Sequence, residues 1–438
     1  MRSIMRSHAL KLFLLLFLCV AVADCTKTPP ADEANPAIRQ SGPATSIDDA
    51  KAAIQRGDYA TALKLLRPLA DQGHAGAQTL LGALYLAGKG VPQDSAEAAR
   101  WFRKSADQGN AQAQSALGTL YFAGQGVGQD NAEAEKWLRK AAEQDIAEAQ
   151  LVLGNMYDIG KGVKQNDVEA AMWYRKAAEQ GNSTAQTNLG VMYEHGRGVA
   201  QDYAEAVNWY RKAAEKGDAM GQAYLGTMYS QGRGVARDYA VAINWFRRAA
   251  DQGDVHGQLN IGIAYEQGWG VAQNYSAAVI WYRKAADQSN ATAQNNLGAM
   301  YNHGRGVAED DAEAAKWYLK AADQGLAVAQ NNLGNLYENG HGVALDLVEA
   351  AKWFRSAADQ GWLNAQIDLG VLYTKGTGVP QDYVQAYKWF ALAVSLASPS
   401  DVEIKNTAAK DRDIVSAKMS PAQIAEAQKL VDEWKPNP

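Results

Sequence analysis

The sequence predicts an all-α fold, a solenoid of tandem 36-residue antiparallel helix pairs, and three observations predict it. A Leu-Gly pair (once Ile-Gly) recurs nine times at an unbroken spacing of 36, at Leu81, Leu117, Leu153, Leu189, Leu225, Ile261, Leu297, Leu333 and Leu369. A Tyr follows each copy four residues on, from Tyr85 to Tyr373. A Trp follows each copy twenty residues on, from Trp101 to Trp389. A fixed period of about 20–50 residues means stacked supersecondary units, each unable to bury its apolar face alone.

Within one unit, Ala77, Leu81, Leu84 and Tyr85 fall on one face of a 3.6-residue helix. Gly82 beside that face is poor for helix propensity but lets a neighbouring helix approach closely. The Gly88-Lys89-Gly90-Val91 segment ends this first helix, with glycines suited to positive φ. A second helix starts after Asp94, and Asp or Asn stands there in every copy through Asp382. Six copies add a Glu three residues on, as in Asp94/Glu97, which predicts a capping box worth about 1 kcal/mol. Ala98, Trp101, Phe102 and Ala106 form the buried face of that second helix, and Gly109 is its left-handed stop. Asp145 and Ser289 replace this stop glycine in two copies, so strained turns are expected there.

The nine tryptophans are expected to fill the core, and the repeated Gln78 through Gln366 to satisfy backbone groups near a helix junction. The acids Glu97 and Asp107 and their equivalents are expected as caps and as solvated pairs with Arg103 and Lys104.

Flanking the array, residues 1–23 read as an export signal. Arg2, Arg6 and Lys11 precede the apolar run Leu12 to Ala23, and Ala21-Val22-Ala23 supplies small residues for cleavage. Cys25 offers a secondary possibility, a lipid anchor, which Asp24 before it disfavours. Residues 24–45, with Pro29, Pro30, Pro36 and Pro43, read as a disordered tether. Residues 46–73 read as an N-terminal capping half-repeat with Asp58 as a helix cap. Residues 74–397 form the array of nine units. Residues 398–438 read as C-terminal capping helices, the last with Ser420 as cap, Pro421 at its first position, and Ile424, Ala427, Leu430, Val431 and Trp434 as its apolar face.

The pattern Leu81-Gly82-x-x-Tyr85-x-x-Gly88-x-Gly90-Val91, followed by Asp94, Ala98, Trp101 and Ala106, resembles the Sel-one-like repeat family, a relative of tetratricopeptide repeats. The resemblance covers roughly residues 58–397. It implies a right-handed superhelix of helix pairs that acts as an adaptor for protein complexes, commonly exported in bacteria. Some cysteine-rich exported members are linked to β-lactam binding or hydrolysis, but this chain lacks their Cys pair in each repeat.

Charge and composition narrow the function. The formal net charge is -5, and removing residues 1–23 leaves 40 basic against 48 acidic groups. A mildly acidic chain without a basic stripe argues against nucleic acid as a partner. The six histidines have no zinc-site spacing, and cleavage would leave only Cys25. No nucleophile-and-base set emerges, and the Gly-x-Gly-Val loops lack a dinucleotide fingerprint. No catalytic, cofactor or metal site is therefore expected.

The expected binding surface is a flank of the first helix, at the places of residues 80, 83 and 87, where copies differ. From the fourth complete unit it turns amide-rich: Asn188 with His195, Asn260 with Gln267, Asn296 with His303, and Asn332 with Asn339. Amides carry both donor and acceptor and suit the backbone of an extended peptide or protein segment. The expected role is an exported, periplasmic or secreted scaffold that binds envelope proteins, with the membrane involved only if Cys25 is lipidated. The alternatives are a cell-wall or β-lactam enzyme and a glycan-binding component of polysaccharide secretion. Trp269, in the loop Gly268-Trp269-Gly270, is the aromatic available for glycan. The sequons at Asn182, Asn274 and Asn290 are expected by chance in an Asn-rich chain.

Overall fold

The structure, a computed structural model, describes residues 46–436. The expected signal, tether and Cys25 lie outside the described residues. Among the described residues the chain forms 22 helices and no strand. It divides into two compact units at Gly221/Gln222.

In the first unit, Ile47–Gln55 and Tyr59–Asp71 precede four helix pairs, beginning with Ala75–Ala87 and Ser95–Asp107 and ending with Ser183–His195 and Tyr203–Glu215. The second unit contains Tyr239–Asp251 and four further pairs. These run from Val255–Gln267 with Tyr275–Asp287 to Leu363–Lys375 with Tyr383–Leu396. Val402–Ser416 and Pro421–Glu433 both pack on Tyr383–Leu396. Val415, Met419, Val431 and Trp434 join the cluster of Trp389 and Leu392. Ser420 and Gln423 close a reciprocal capping box at the start of the last helix, with Pro421 at its first turn.

Within each unit the contacts alternate: a first helix packs on its own second helix, which packs on the next first helix. The glycines set the first of these spacings. A Cβ on Gly82 would lie 2.9 Å from the Phe102 ring, and one on Gly334 would lie 2.6 Å from the Phe354 ring. Close approach therefore outweighs helix propensity. The tryptophans bridge pairs, as Trp137 completes the cluster of Phe102, Leu117 and Leu120. Trp101, Trp137, Trp173, Trp209, Trp317 and Trp389 are buried, while Trp245, Trp281 and Trp353 are half-buried.

The second loop glycine meets two demands at once. Gly126 has φ +70, and its Cβ would stand 2.1 Å from the Ser95 carbonyl oxygen of the preceding pair. Only a residue without a side chain fits both constraints. Asp145 (φ 60) and Ser289 (φ 63) are the non-glycine positive-φ residues among the described residues, at the two turns expected to be strained.

Asp94 accepts from the Ala96 and Glu97 amides at 2.9 Å each. The reciprocal half of the expected capping box does not form. Asp94 donates its own amide to the Tyr85 carbonyl at 2.9 Å, which ties the loop shut and leaves no donor for Glu97. Glu97 pairs with Arg100 instead. Of the expected solvated pairs, Arg103 forms one with Glu133, the equivalent of Glu97 in the next copy, at 3.9 Å, and both cations also meet aromatic residues. Arg103 donates to the Tyr121 hydroxyl, and Lys104 lies 4.1 Å from the Trp101 ring centroid. An aromatic face attracts the cation while the aliphatic stem covers apolar surface.

The repeated glutamine satisfies the junction, as expected, and also links the pairs. Gln114 Nε2 donates to the Ala106 carbonyl, while its Oε1 accepts from Gln144 Nε2 at 2.8 Å. The ladder also runs Gln108 to Gln78 and Gln180 to Gln150, and in the second unit from Gln252 to Gln222 through Gln360 to Gln330. It stops where Lys216 and Leu396 replace the donor, and there the Oε1 atoms of Gln186 and Gln366 are buried without a partner.

Candidate functional site

The first-helix flank is the variable face, and the structure separates its residues by depth. Asn188, Asn260, Asn296 and Asn332 are half-buried, whereas His195, Gln267, His303 and Asn339 are exposed. The deeper set partly bonds within the protein. Asn188 Nδ2 donates to Asn155 Oδ1 at 3.3 Å, and Asn332 Nδ2 donates to Asn295 Oδ1 at 3.0 Å, each reaching the preceding pair. Asn260 turns back to the His256 carbonyl of its own helix at 2.9 Å. Asn296 supports the Tyr282 hydroxyl. Of the exposed set, His195 and Asn339 each bond a carbonyl of their own helix.

A row that sequence reasoning missed lies at the place of residue 86. It holds Asp158 and Glu194 in the first unit, and Glu266, Asn302 and Glu338 in the second. Three of these acids receive a tyrosine hydroxyl from their own second helix. Tyr174 donates to Asp158 at 3.4 Å and to Asn155 at 2.7 Å, Tyr210 donates to Glu194 at 2.7 Å, and Tyr282 donates to Glu266. The signal was present in the covariation between copies. Tyr174, Tyr210 and Tyr282 replace Phe or Leu at the place of residue 102 where an acid stands sixteen residues earlier, while Tyr318 follows Asn302 and Phe354 follows Glu338. Burial, followed by the neighbouring carboxylates Asp158 and Glu266, pushes the Tyr174 and Tyr282 hydroxyls well above the usual phenol range. They are fixed donors and not acids.

In the first unit a guanidinium completes this arrangement. Arg197 bridges Asp158 and Asp167, the latter at 2.8 Å. Hydrogen bonding to Asp167 and then to Asp158, against some desolvation, raises the Arg197 pKa above its ordinary value. Arg197 belongs to the loop place of residue 89, which reaches the start of the preceding second helix. Lys89 lies over Tyr59 at 5.6 Å, Gln125 donates to Ser95 at 3.1 Å, and Arg305 lies over Tyr275 at 5.9 Å.

Trp269 occupies this same place. It stacks on Tyr239, with centroids 5.2 Å apart and planes 18° from parallel. The aromatic that the sequence left free for a glycan is thus packed on one face and remains 41% exposed. A cleft beside it, lined by Ser230, Tyr239, Phe246, Asn260, Ile263 and Trp269, holds about 20 Å³, room for a single water. Asn182, Asn274 and Asn290 of the sequons are helix caps, and Asn290 is buried. Among the described residues no group of three or more His, Cys, Asp or Glu is placed to hold a metal. No described helix is long and apolar enough to cross a membrane.

Comparison with known proteins adds the family. A model described as the Sel1 repeat matches ten consecutive segments, residues 52–74, 75–110, 111–146, 147–182, 183–218, 219–254, 255–290, 291–326, 327–362 and 363–398. A search of curated proteins finds no significant match. Among solved structures, the chain is similar to c5321, a protective antigen present in uropathogenic Escherichia coli strains and displaying an SLR fold. They share 36% identity over 89% of this chain and 94% of that one, with a TM-score of 0.46. It is also similar to a Sel1 repeat protein from Oxalobacter formigenes, with 35% identity over 69% of this chain and 89% of that one, and a TM-score of 0.54.

Proposed function

We propose a recognition role for this chain, which belongs to the Sel1 repeat family. Proteins of this family are helical repeat scaffolds for protein interaction. The finer reading is a non-catalytic adaptor, exported to the periplasm or beyond, whose first-helix face takes an extended segment of an envelope or secreted protein. The observation that carries it is the two-level amide face. The half-buried Asn260, Asn296 and Asn332 are held by internal bonds, while Gln267, His303 and Asn339 stand exposed beside them. Held amides lose little side-chain entropy when a peptide backbone docks on them.

Export is supported by the charged and apolar composition of residues 1–23. The glycan reading is the less favoured one, because Trp269 is stacked on Tyr239 and the cleft beside it has room for a single water.

The test is crosslinking in envelope extracts with wild type and with Asn260, Asn296 and Asn332 jointly replaced by Ala. A discrete partner is expected with wild type and not with the variant, at unchanged helicity by circular dichroism. Equal capture by both removes the amide row from the reading. Cell fractionation with N-terminal sequencing of the mature chain tests export.

A further inference from the structure

We infer that Glu338, Asp368 and Asn331 in the second unit form a receptor for one basic side chain, an arginine or lysine carried by the partner's segment. The inference rests on the peptide-binding reading above and specifies one chemical group of that segment.

Where the chain carries an acid at the place of residue 86, a tyrosine hydroxyl serves it: Tyr174 for Asp158, Tyr210 for Glu194 and Tyr282 for Glu266. Glu338 is the exception, because Phe354 stands at its tyrosine place and brings no hydroxyl. Asp158 also has Arg197 from the following loop. The residue in the same relation to Glu338 is Thr377, which carries no charge. Both donors that the fold supplies elsewhere are therefore missing at Glu338.

Asp368 deepens the shortage. At its place the preceding pair has Asn332, whose Nδ2 donates to Asn295 Oδ1 at 3.0 Å. One repeat on, Asn331 is the equivalent acceptor and Asp368 replaces the donor. An ionised carboxylate has no proton to give. Asn331 is only 5% exposed, and its Oδ1 has no hydrogen-bond partner. Its amide oxygen lacks the donor that Asn332 supplies to Asn295 in the pair before it.

Burial, and then the charge of Glu338, push the Asp368 carboxyl up to about 7. Lys375, on the same helix, is exposed and seven residues along, a rise of about 10 Å. It does not appear among the groups that shift Asp368. Asp368 thus lies near enough to Glu338 to feel its charge, and among the described residues neither carboxylate nor Asn331 Oδ1 receives a hydrogen bond or ion pair. A guanidinium or ammonium supplies what is missing: a positive charge and several N–H groups that pair with carboxylate and amide oxygens. The first unit shows the chemistry filled from within, where Arg197 holds two aspartates. The second unit keeps the acceptors and leaves the cation to the partner.

The test uses the full chain at pH 8 and two fluorescein-labelled nonapeptides of Gly, Ser and Asn, alike except for a central arginine or its neutral isostere citrulline. Fluorescence anisotropy reads both affinities. Wild type is expected to bind the arginine peptide at least about tenfold more tightly than the citrulline peptide. Asp368→Asn, which restores the donor to Asn331, should bring the ratio close to one. Thr377→Arg, which places a guanidinium in the chain itself, should do the same. Circular dichroism checks that both variants fold. Equal binding of the two peptides by wild type overturns the receptor but leaves the amide face standing. An arginine preference that survives both substitutions places the cation elsewhere and also overturns it. Failure of wild type to bind either peptide sinks the receptor and the peptide-binding reading together.

Discussion

The helix pair carrying Asp158 and the pair carrying Glu338 have the same backbone and the same place for an acid, yet opposite polar accounts. The first is closed: Tyr174, Asn155, Asn188, Arg197 and Asp167 supply donors and acceptors to one another. The second is open: Phe354 and Thr377 replace the tyrosine and the arginine, and Asp368 replaces an asparagine. A buried acceptor without a donor costs more than a satisfied one contributes. A chain that retains such acceptors sacrifices stability locally, which is the usual mark of a functional place. Framework residues do not show this difference, because Leu153 and Leu333, or Gly154 and Gly334, are buried alike in both pairs.

Four substitutions test the contrast, taken from the largest expected effect to the smallest. Asp368→Asn should stabilise most, and the gain should depend on pH. Its folded-state pKa of about 7 lies above the unfolded value, so the fold favours the protonated form. Below about pH 4 the group is neutral in both states and carries no penalty. As the pH rises toward 7 the unfolded chain ionises first, and stability falls. The variant should therefore match wild type near pH 4 and exceed it by roughly 2–4 kcal/mol at pH 8, measured by urea unfolding at both values. A constant difference across this range would mean that the carboxylate is not strained.

Opening the closed pair should have the reverse sign. Arg197→Ala leaves Asp158 and Asp167 without their cation and should cost about 1–2 kcal/mol, a figure kept low because the guanidinium is partly solvated. Salt should shrink that loss. Phe354→Tyr brings the missing hydroxyl toward Glu338 and should gain about 0.5–1.5 kcal/mol, visible as a higher unfolding midpoint. If it destabilises, the pocket beside Glu338 lacks room for the hydroxyl and the equivalence with Tyr282 fails. Lys216→Gln restores the interrupted ladder beneath Gln186, whose Oε1 is orphaned, and should gain about 0.5–1 kcal/mol. This last change lies in the framework, so it should leave peptide affinity unaltered.

The site was less legible in the sequence than the fold, for a physical reason. Asn188, Asn260, Asn296 and Asn332 announced a polar flank, because polar residues at the edge of an apolar helix face stand out in a periodic pattern. The acids at Asp158, Glu194, Glu266 and Glu338 did not stand out, since a charge on a helix usually means a solvated surface. Their partners come from another helix or a following loop, sixteen or thirty-nine residues away. A helical-face pattern relates only residues three to four apart.

The sequence by itself determined the helix pairs, their length, the two turns without glycine at Asp145 and Ser289, and the core role of the tryptophans. These follow from periodicity and local backbone chemistry, both of which are one-dimensional. Only the tertiary structure decided that Asp94 gives its amide to Tyr85 and not to Glu97, that Trp269 lies on Tyr239, and that Lys104 covers Trp101. The same holds for the acceptors Glu338, Asp368 and Asn331. Hydrogen-bond satisfaction is a property of groups brought together in space, and a donor missing from one repeat becomes visible only once its neighbours are in place.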